Sequence, residues 1–226
     1  MKQIPDFSSY YAKEYENFLY GKGFIPYCMK KTHILLERQF SEKDHFERVL
    51  EVGSGMAFHL KHVRHKFTHY ELTDSNEDVI EKLASMEFPP NISIKRIDAG
   101  SLPYPDNSFD RLIANHALEH ISYPHTALSE WSRVVKKNGI ISIGLPCDPG
   151  FAWRFGRKVS SRKKAQAGGL KEYDLFMALE HVNSIYNLHA LLQYFFEKKN
   201  EYFWPFPFKS LDFNLFYVAH ITNDKA

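Results

Sequence analysis

The chain has 226 residues, of which 44% are hydrophobic and 25% charged, a composition typical of folded globular domains. Its length allows one domain with an insertion or two small domains, and its composition excludes collagen-like, low-complexity and disordered classes. The net charge of +2 gives no electrostatic reason to expect nucleic acid or a membrane surface as a partner. Cys28 and Cys147 are too few for a disulfide-stapled secreted domain or a zinc framework.

The expected location is the cytoplasm. The first ten residues contain Pro5 and Asp6 and lack the apolar core of a secretory signal. No stretch approaches the roughly 18 uninterrupted apolar residues of a spanning helix, so we expect no integral membrane segment.

From residue 48 onward, short apolar runs alternate with amphipathic stretches. The predicted strands are 49–52, 69–73, 92–97, 109–114, 140–145, 202–204 and 215–221. Helical periodicity predicts helices over 79–86, 127–135 and 188–196, the last capped by Asn187. Strands that alternate with helices in this way predict an α/β fold with a mostly parallel sheet covered on both faces.

Three acidic residues, Glu51, Asp74 and Asp98, fall at or beside the ends of successive predicted strands. Ligands bind outside the carboxyl ends of such strands. The turn over residues 51–57 contains two glycines, which let the main chain approach a ligand, and we expect a helix over 59–67 to follow it. Asp74 could accept from both ribose hydroxyls and Asp98 from a purine amine, so the pattern favours a nucleoside ligand.

Four motifs occur in order along residues 49–140: VLEVGSG (49–55), TDSNEDVIEK (73–82), IDAGSLPYPDNSFD (97–110), and NHALEHI (115–121) followed by RVVKKNGI (133–140). With these motifs the sequence resembles the class I S-adenosylmethionine-dependent methyltransferases, in particular the type 11 group of small-molecule methyltransferases. The resemblance implies a Rossmann-like three-layer sandwich with a seven-stranded, mostly parallel sheet whose last strand is antiparallel. It also implies S-adenosylmethionine as cofactor.

The resemblance implies that Gly53 and Gly55 flank the methionine part of the cofactor, that Asp74 holds the ribose, and that Asp98 with Ala99 meets the adenine. Ala57 stands where the family often has a third glycine. The full set of predicted cofactor-binding residues is Glu51, Gly53, Ser54, Gly55, Asp74, Ser75, Asp98, Ala99 and Asn115.

Two histidines are the predicted catalytic residues. His116 directly follows the fourth strand at the carboxyl edge, where an imidazole with a pKa near 7 could take a proton from the acceptor. His181 matches a family position near the substrate pocket, and its alternative role is a hydrogen bond at the entrance of the late helix. His120 is interpreted as structural.

A run of four histidines, His59, His62, His65 and His69, looks like a metal-binding pattern. A helix over 59–67 would turn Leu60, Val63 and Phe67 to the core and leave His62 and His65 on the solvated side. Metal ligands need convergent geometry, so the sequence predicts no metal centre.

The chain divides into four predicted parts: an N-terminal helical lid segment (1–44), an S-adenosylmethionine-binding core (45–148), a basic cap insertion (149–185), and a C-terminal helix and strands that complete the sheet (186–226). In the lid segment, Tyr11, Tyr15 and Phe18 recur at helical spacing. They either close over the cofactor or pack against the sheet.

The insertion is predicted to cap the acceptor pocket. Residues 150–171 carry seven basic side chains and no acidic one. Arg154, Arg157 or Lys158 could recognise an anionic group of the acceptor, or the segment could be a solvated mobile loop.

The sequence therefore predicts methyl transfer to a small-molecule or carbohydrate-like acceptor, with oxygen favoured because of the nearby histidines. The alternative is a non-catalytic member of the fold that binds a nucleoside or a protein partner. A nicotinamide-dependent oxidoreductase is disfavoured, because the dinucleotide motif requires glycine at Phe58. Asn115-His116-Ala117 replaces the signature of enzymes that methylate nucleic-acid bases, so no nucleic-acid partner is expected.

Overall fold

A computed structural model describes residues 4–5 and 21–224, which form a sheet with helices on both sides. The seven strands are β1 (His45–Val52), β2 (Lys66–Asp74), β3 (Ile92–Arg96), β4 (Phe109–Asn115), β5 (Val135–Pro146), β6 (Lys199–Trp204) and β7 (Phe216–Thr222). The helices are α1 (Phe24–Leu36), α2 (Glu77–Ala84), α3 (Pro124–Val134), α4 (Phe151–Gly156), α5 (Arg162–Ala167), α6 (Tyr173–Glu180) and α7 (Ile185–Phe195). Short 3₁₀ turns occupy Leu60–His62 and Leu118–His120, and a π turn (Arg157–Ser161) joins α4 to α5.

The strand order is β3-β2-β1-β4-β5-β7-β6. Strands β1 to β5 are mutually parallel, and β7 runs antiparallel to both of its neighbours. The predicted α/β class, the seven-stranded sheet and its antiparallel last strand are confirmed. Since parallel strands end at one edge, this topology collects the residues that follow β1, β2, β4 and β5.

The predicted helix over 59–67 is wrong. Only the short turn Leu60–His62 is helical there, and β2 begins at Lys66. His65 is buried and packs its ring edge-on against Phe46, with centroids 4.8 Å apart, so it does not face solvent. Leu60, Val63 and Phe67 have the spacing of an apolar helix face, but they lie in a short turn, a loop and the start of β2.

Helix α7 begins earlier than predicted. The Ser184 hydroxyl accepts a hydrogen bond from the Asn187 N–H at 3.2 Å, so Ser184 caps the helix and Asn187 lies inside it. The cap satisfies one of the N–H groups that the first helical turn leaves without a backbone partner.

Helix α1 is attached to the sheet by a buried polar network. Glu37, just after the helix, accepts from the Arg111 guanidinium at 2.8 Å, and its Oε1 lies 3.0 Å from Nε2 of His59. Burial alone would raise the pKa of Glu37, but the hydrogen bond to His59 and the charge of Arg111 lower it to about 2. The network fixes α1 beside the carboxyl edge of the sheet.

The segment 149–185 is mostly helical, comprising α4, the π turn, α5 and α6. Helix α5 ends at Ala167, and Gly168 follows it. Of the residues described, none forms a helix long and apolar enough to cross a membrane. Tyr11, Tyr15 and Phe18 of the predicted lid lie outside the described residues.

Candidate functional site

A cleft of about 1110 Å³ opens along the carboxyl edge of the sheet. Its walls come from the ends of β1, β2 and β4, from α1, and from α4 and α6 of the insertion. All eleven residues that the sequence assigned to cofactor or catalysis border it: Glu51, Gly53, Ser54, Gly55, Asp74, Ser75, Asp98, Ala99, Asn115, His116 and His181.

The turn after β1 holds its two glycines in the left-handed region, with φ of 64° at Gly53 and 49° at Gly55. The Gly55 N–H donates to Oδ2 of Asp74 at 3.0 Å, and the Asn76 N–H donates to Oδ1 at 2.9 Å. An ionised carboxylate has about four lone-pair positions, so Asp74 keeps acceptor capacity for a ligand. No atom of the described residues lies within 4 Å of a Cβ added at Gly55, so the backbone has open space beside it there.

Glu51 and the residues after β3 complete this side of the cleft. Glu51 is almost fully buried, which raises the pKa of its carboxyl group, and the Tyr70 hydroxyl donates to it at 2.5 Å. Asp98 is exposed and accepts from the Gly100 N–H at 2.8 Å. The Ala99 carbonyl accepts from the Trp131 indole at 2.8 Å, which fixes the backbone at that point.

Helix α1 contributes residues that sequence reasoning missed. The Asn115 side-chain nitrogen lies 3.2 Å from Nδ1 of His33 on α1, and the Asn115 side-chain oxygen, Oδ1, is buried with no hydrogen-bond partner within the described part of the chain. Burial, followed by repulsion from His59, keeps the pKa of His33 well below its ordinary value. No local motif marks His33, because its position depends on how α1 packs.

Both ring nitrogens of His116 have partners inside the protein. Nε2 lies 3.0 Å from the Thr32 hydroxyl, which itself donates to the Met29 carbonyl and can therefore only accept from His116. Nδ1 lies 3.3 Å from Oε1 of the buried Glu119. Thr32 and Glu119 thus hold the His116 ring from both sides.

Beside His116, two histidines and a carboxylate converge, and one of them, His181, is distant in sequence from the other two. Glu119, His120 and His181 each offer one ligand atom, and these atoms lie within 4.8 Å of one another. The His181 Nδ1 lies 2.8 Å from Oδ2 of Asp148, and the His120 Nδ1 lies 2.7 Å from the Glu180 carbonyl. Asp148 follows β5 closely, so the signal that identified Asp74 could have found it.

The insertion supplies the remaining wall. Trp153, Arg157 and Phe176 border the cleft, whereas Arg154 and Lys158 are exposed and lie outside it. The Arg157 guanidinium lies 3.3 Å from Asp148 and 3.7 Å from Asp174. Of the three cations predicted to recognise an anionic acceptor, only Arg157 borders the cleft.

Comparison with protein families assigns residues 50–143 to a family described as "Methyltransferase domain". Phosphatidylethanolamine N-methyltransferase of Cereibacter sphaeroides is 31% identical over 99 residues, covering 42% of this chain and 49% of that protein. The chloroplastic 2-methyl-6-phytyl-1,4-hydroquinone methyltransferase 1 of Oryza sativa subsp. japonica is 30% identical over 111 residues, covering 47% of this chain and 33% of that protein. The chain thus spans half or less of the length of these curated relatives.

Solved structures share the fold over nearly the whole chain. A SAM-dependent methyltransferase of Thermotoga maritima superposes with a TM-score of 0.63 at 18% identity, covering 96% of each chain. The N-methyltransferase NodS of Bradyrhizobium japonicum, solved with S-adenosyl-L-homocysteine, gives 0.55 at 13% identity and covers 87% of each chain. At these identities the likeness concerns the fold.

Proposed function

We propose that this chain, which belongs to the class I S-adenosylmethionine-dependent methyltransferases of the type 11 group, methylates a hydroxyl oxygen of a small-molecule or carbohydrate-like acceptor. The observation that carries the proposal is the anchored carboxylate of Asp74. It borders the cleft, accepts from the Gly55 N–H, and stands one strand away from Glu51 and Gly53.

The cofactor would lie along the glycine turn and the ends of β2 and β3. Asp74 would accept hydrogen bonds from the ribose hydroxyls, and Asp98 would accept from the adenine amine. Gly53 and Gly55 would let the backbone approach the amino-acid part, because neither has a side chain to obstruct it. S-adenosylmethionine supplies an electrophilic methyl group on a sulfonium centre.

The acceptor would lie between α1 and the insertion. Ile25 and Met29 of α1 face this cleft together with Trp153 and Phe176. Such apolar walls exclude water, and they help align a nucleophile with the methyl group for in-line displacement. Arg157 offers a guanidinium to an anionic group on the acceptor.

A hydroxyl becomes a good nucleophile when its proton is removed or withdrawn. We assign this task to the cluster of Glu119, His120 and His181, which borders the cleft and whose His181 is oriented by Asp148. His116, whose two ring nitrogens contact Thr32 and Glu119, is a positioning residue that orients Glu119.

The experiment is an untargeted search for the acceptor. Purified protein and S-adenosylmethionine are mixed with a small-molecule extract, and mass spectrometry records any compound that gains about 14 mass units, one methyl in place of one hydrogen. A compound that appears only with active protein, and not with Asp74→Ala, supports methyl transfer. Cofactor binding without any methylated product would favour the non-catalytic alternative.

A further inference from the structure

The cluster of Glu119, His120 and His181 has the composition and spacing of a metal site. Its three ligand atoms lie within 4.8 Å of one another, and Nε2 of His120 is 4.0 Å from Oε1 of Glu119. Ligand atoms bound tetrahedrally to one Zn²⁺ at about 2.0–2.2 Å are roughly 3.4 Å apart. Side-chain movements of about 1 Å would therefore bring all three onto one ion.

The hydrogen bonds around the two imidazoles prepare them as ligands. The His181 Nδ1–H is taken by the Asp148 carboxylate at 2.8 Å, and the His120 Nδ1–H by the Glu180 carbonyl at 2.7 Å. Both rings thus keep their lone pair on Nε2. Metal-binding histidines have this arrangement, in which a carboxylate or carbonyl fixes the tautomer and the other nitrogen binds the ion.

Glu119 adds an independent observation. Its side chain is 3% exposed, and while Oε1 lies 3.3 Å from Nδ1 of His116, Oε2 is buried without a hydrogen-bond partner among the described residues. A buried anionic oxygen without a partner is costly, and a cation would supply the partner.

The balance of nearby charge also suits a cation. The carboxylates of Glu119, Asp148 and Glu180 all lie within 4.0 Å of a histidine nitrogen of the cluster or of its neighbour. Arg157 is the cation that contacts this group within the described residues, and it contacts Asp148 rather than Glu119. The metal-binding side of the cluster therefore keeps its negative charge.

We propose that Glu119, His120 and His181 bind one divalent transition-metal cation, with Zn²⁺ the best representative, at the acceptor end of the cleft. Two imidazoles and one carboxylate favour Zn²⁺ over Mg²⁺, which prefers an all-oxygen octahedron. Three protein ligands leave coordination positions for acceptor oxygens, so the ion would orient the hydroxyl and lower its pKa. Only this last role rests on the proposed function.

The sequence prediction of no metal centre considered the histidine run of residues 59–69, of which His59 and His62 pack against His33 whereas His65 packs against Phe46. The ligands proposed here come instead from the 3₁₀ turn after β4 and from the end of α6, 61 residues further along the chain. No short spacing motif links these two places.

The test is calorimetric titration of the chelator-stripped full chain with ZnCl₂ and, separately, MgCl₂. We expect one equivalent of Zn²⁺ to bind wild-type protein, Mg²⁺ to bind far more weakly, and His120→Ala with His181→Ala to abolish the Zn²⁺ isotherm. Asp148→Asn, which alters the carboxylate that contacts His181 and Arg157 but removes no proposed ligand, should weaken Zn²⁺ binding by about 10- to 100-fold. His125→Ala, at an exposed histidine on α3, is the matched control and should bind as wild type does.

Binding of S-adenosylhomocysteine to each stripped variant monitors folding and the cofactor site separately. The metal site is refuted if stripped wild-type protein binds no Zn²⁺, or if the double variant binds Zn²⁺ as tightly as His125→Ala does. Neither result affects the proposal of cofactor binding, which the titration with S-adenosylhomocysteine tests separately. Equal affinity for Mg²⁺ and Zn²⁺ would likewise refute the ligand assignment.

Discussion

The two glycines of the turn after β1 should respond differently to substitution. Substitution of Gly53 should mainly lower the stability of the fold, and substitution of Gly55 should mainly lower cofactor affinity. A Cβ at Gly53 would lie 2.8 Å from the Cβ of Ala117, well inside the 3.5–4.0 Å at which carbon atoms pack. A Cβ at Gly55 would meet no atom within 4 Å in the part of the chain that the structure describes. Gly53 is therefore constrained by the protein itself, whereas Gly55 is constrained by whatever occupies the cleft.

Both substitutions carry the strain of a side chain at positive φ, about 1–2 kcal/mol. Ala57, with φ of 56°, shows that this turn accommodates alanine in that conformation. Gly53→Ala adds the clash with Ala117, and overpacking of this kind costs about 1–3 kcal/mol. We expect the free energy of unfolding to fall by about 2–5 kcal/mol in Gly53→Ala and by about 1–2 kcal/mol in Gly55→Ala.

Cofactor affinity, unlike stability, should be more sensitive to substitution at Gly55 than at Gly53. Gly55→Val would direct a branched side chain into the space beside the ligand and should weaken S-adenosylhomocysteine binding at least tenfold, about 1.4 kcal/mol. Urea unfolding and calorimetry measure the two quantities on the same samples. Wild-type affinity in folded Gly55→Val would refute the reasoning and reduce the turn to a structural connection.

Three further outcomes follow from buried or cleft-lining charges. Arg157→Ala should raise the acceptor's Michaelis constant about tenfold or more, while the affinity for S-adenosylmethionine stays within about twofold. Arg154→Ala is the control and should change neither quantity. If Arg157→Ala weakened the binding of both ligands equally, the cap assignment would be contradicted. Burial lowers the pKa of His220 to about 3. Between pH 6.5 and pH 3 the unfolded chain therefore binds a proton that the folded chain does not. The free energy of unfolding should decrease as the pH is lowered through this range, by up to about 1.4 kcal/mol per pH unit. His220→Gln should show a shallower fall in urea unfolding at pH 7 and pH 5, and an unchanged slope would contradict this. Glu37→Ala should cost about 3–5 kcal/mol, because it leaves the fully buried Arg111 without its carboxylate, and a loss below 1 kcal/mol in the same assay would contradict it.

The sheet and its ligand edge could be predicted from local pattern alone. Buried strands are continuous apolar runs, and Asp74 ends one of them. The alternation of strands with helices, together with the acidic residues at the strand ends, was enough to predict that Glu51, Asp74 and Asp98 lie along one cleft. The same logic of periodicity failed for residues 59–67, where nine residues were too few to separate a helix from a turn followed by a strand.

The acceptor side could not be predicted in the same way, because its geometry depends on packing between distant segments. His33 reaches the cleft because the contact between Glu37 and Arg111 fixes α1. His120 and His181 meet only because α6 packs beside the turn after β4, and the NHALEHI motif by itself assigned His120 no chemical role. Long-range contacts of this kind leave no periodic trace in the sequence.

The measurement that tests the central claim most directly is calorimetric titration of the wild-type chain and of Asp74→Ala with S-adenosylhomocysteine. Losing the charge-assisted hydrogen bonds to ribose should cost roughly 1.5–3 kcal/mol each. Wild-type protein should bind one equivalent, Asp74→Ala should bind at least tenfold more weakly, and Glu77→Gln, an exposed neighbour outside the cleft, should match wild type. Folded wild-type protein with no affinity for S-adenosylhomocysteine or S-adenosylmethionine would contradict the account.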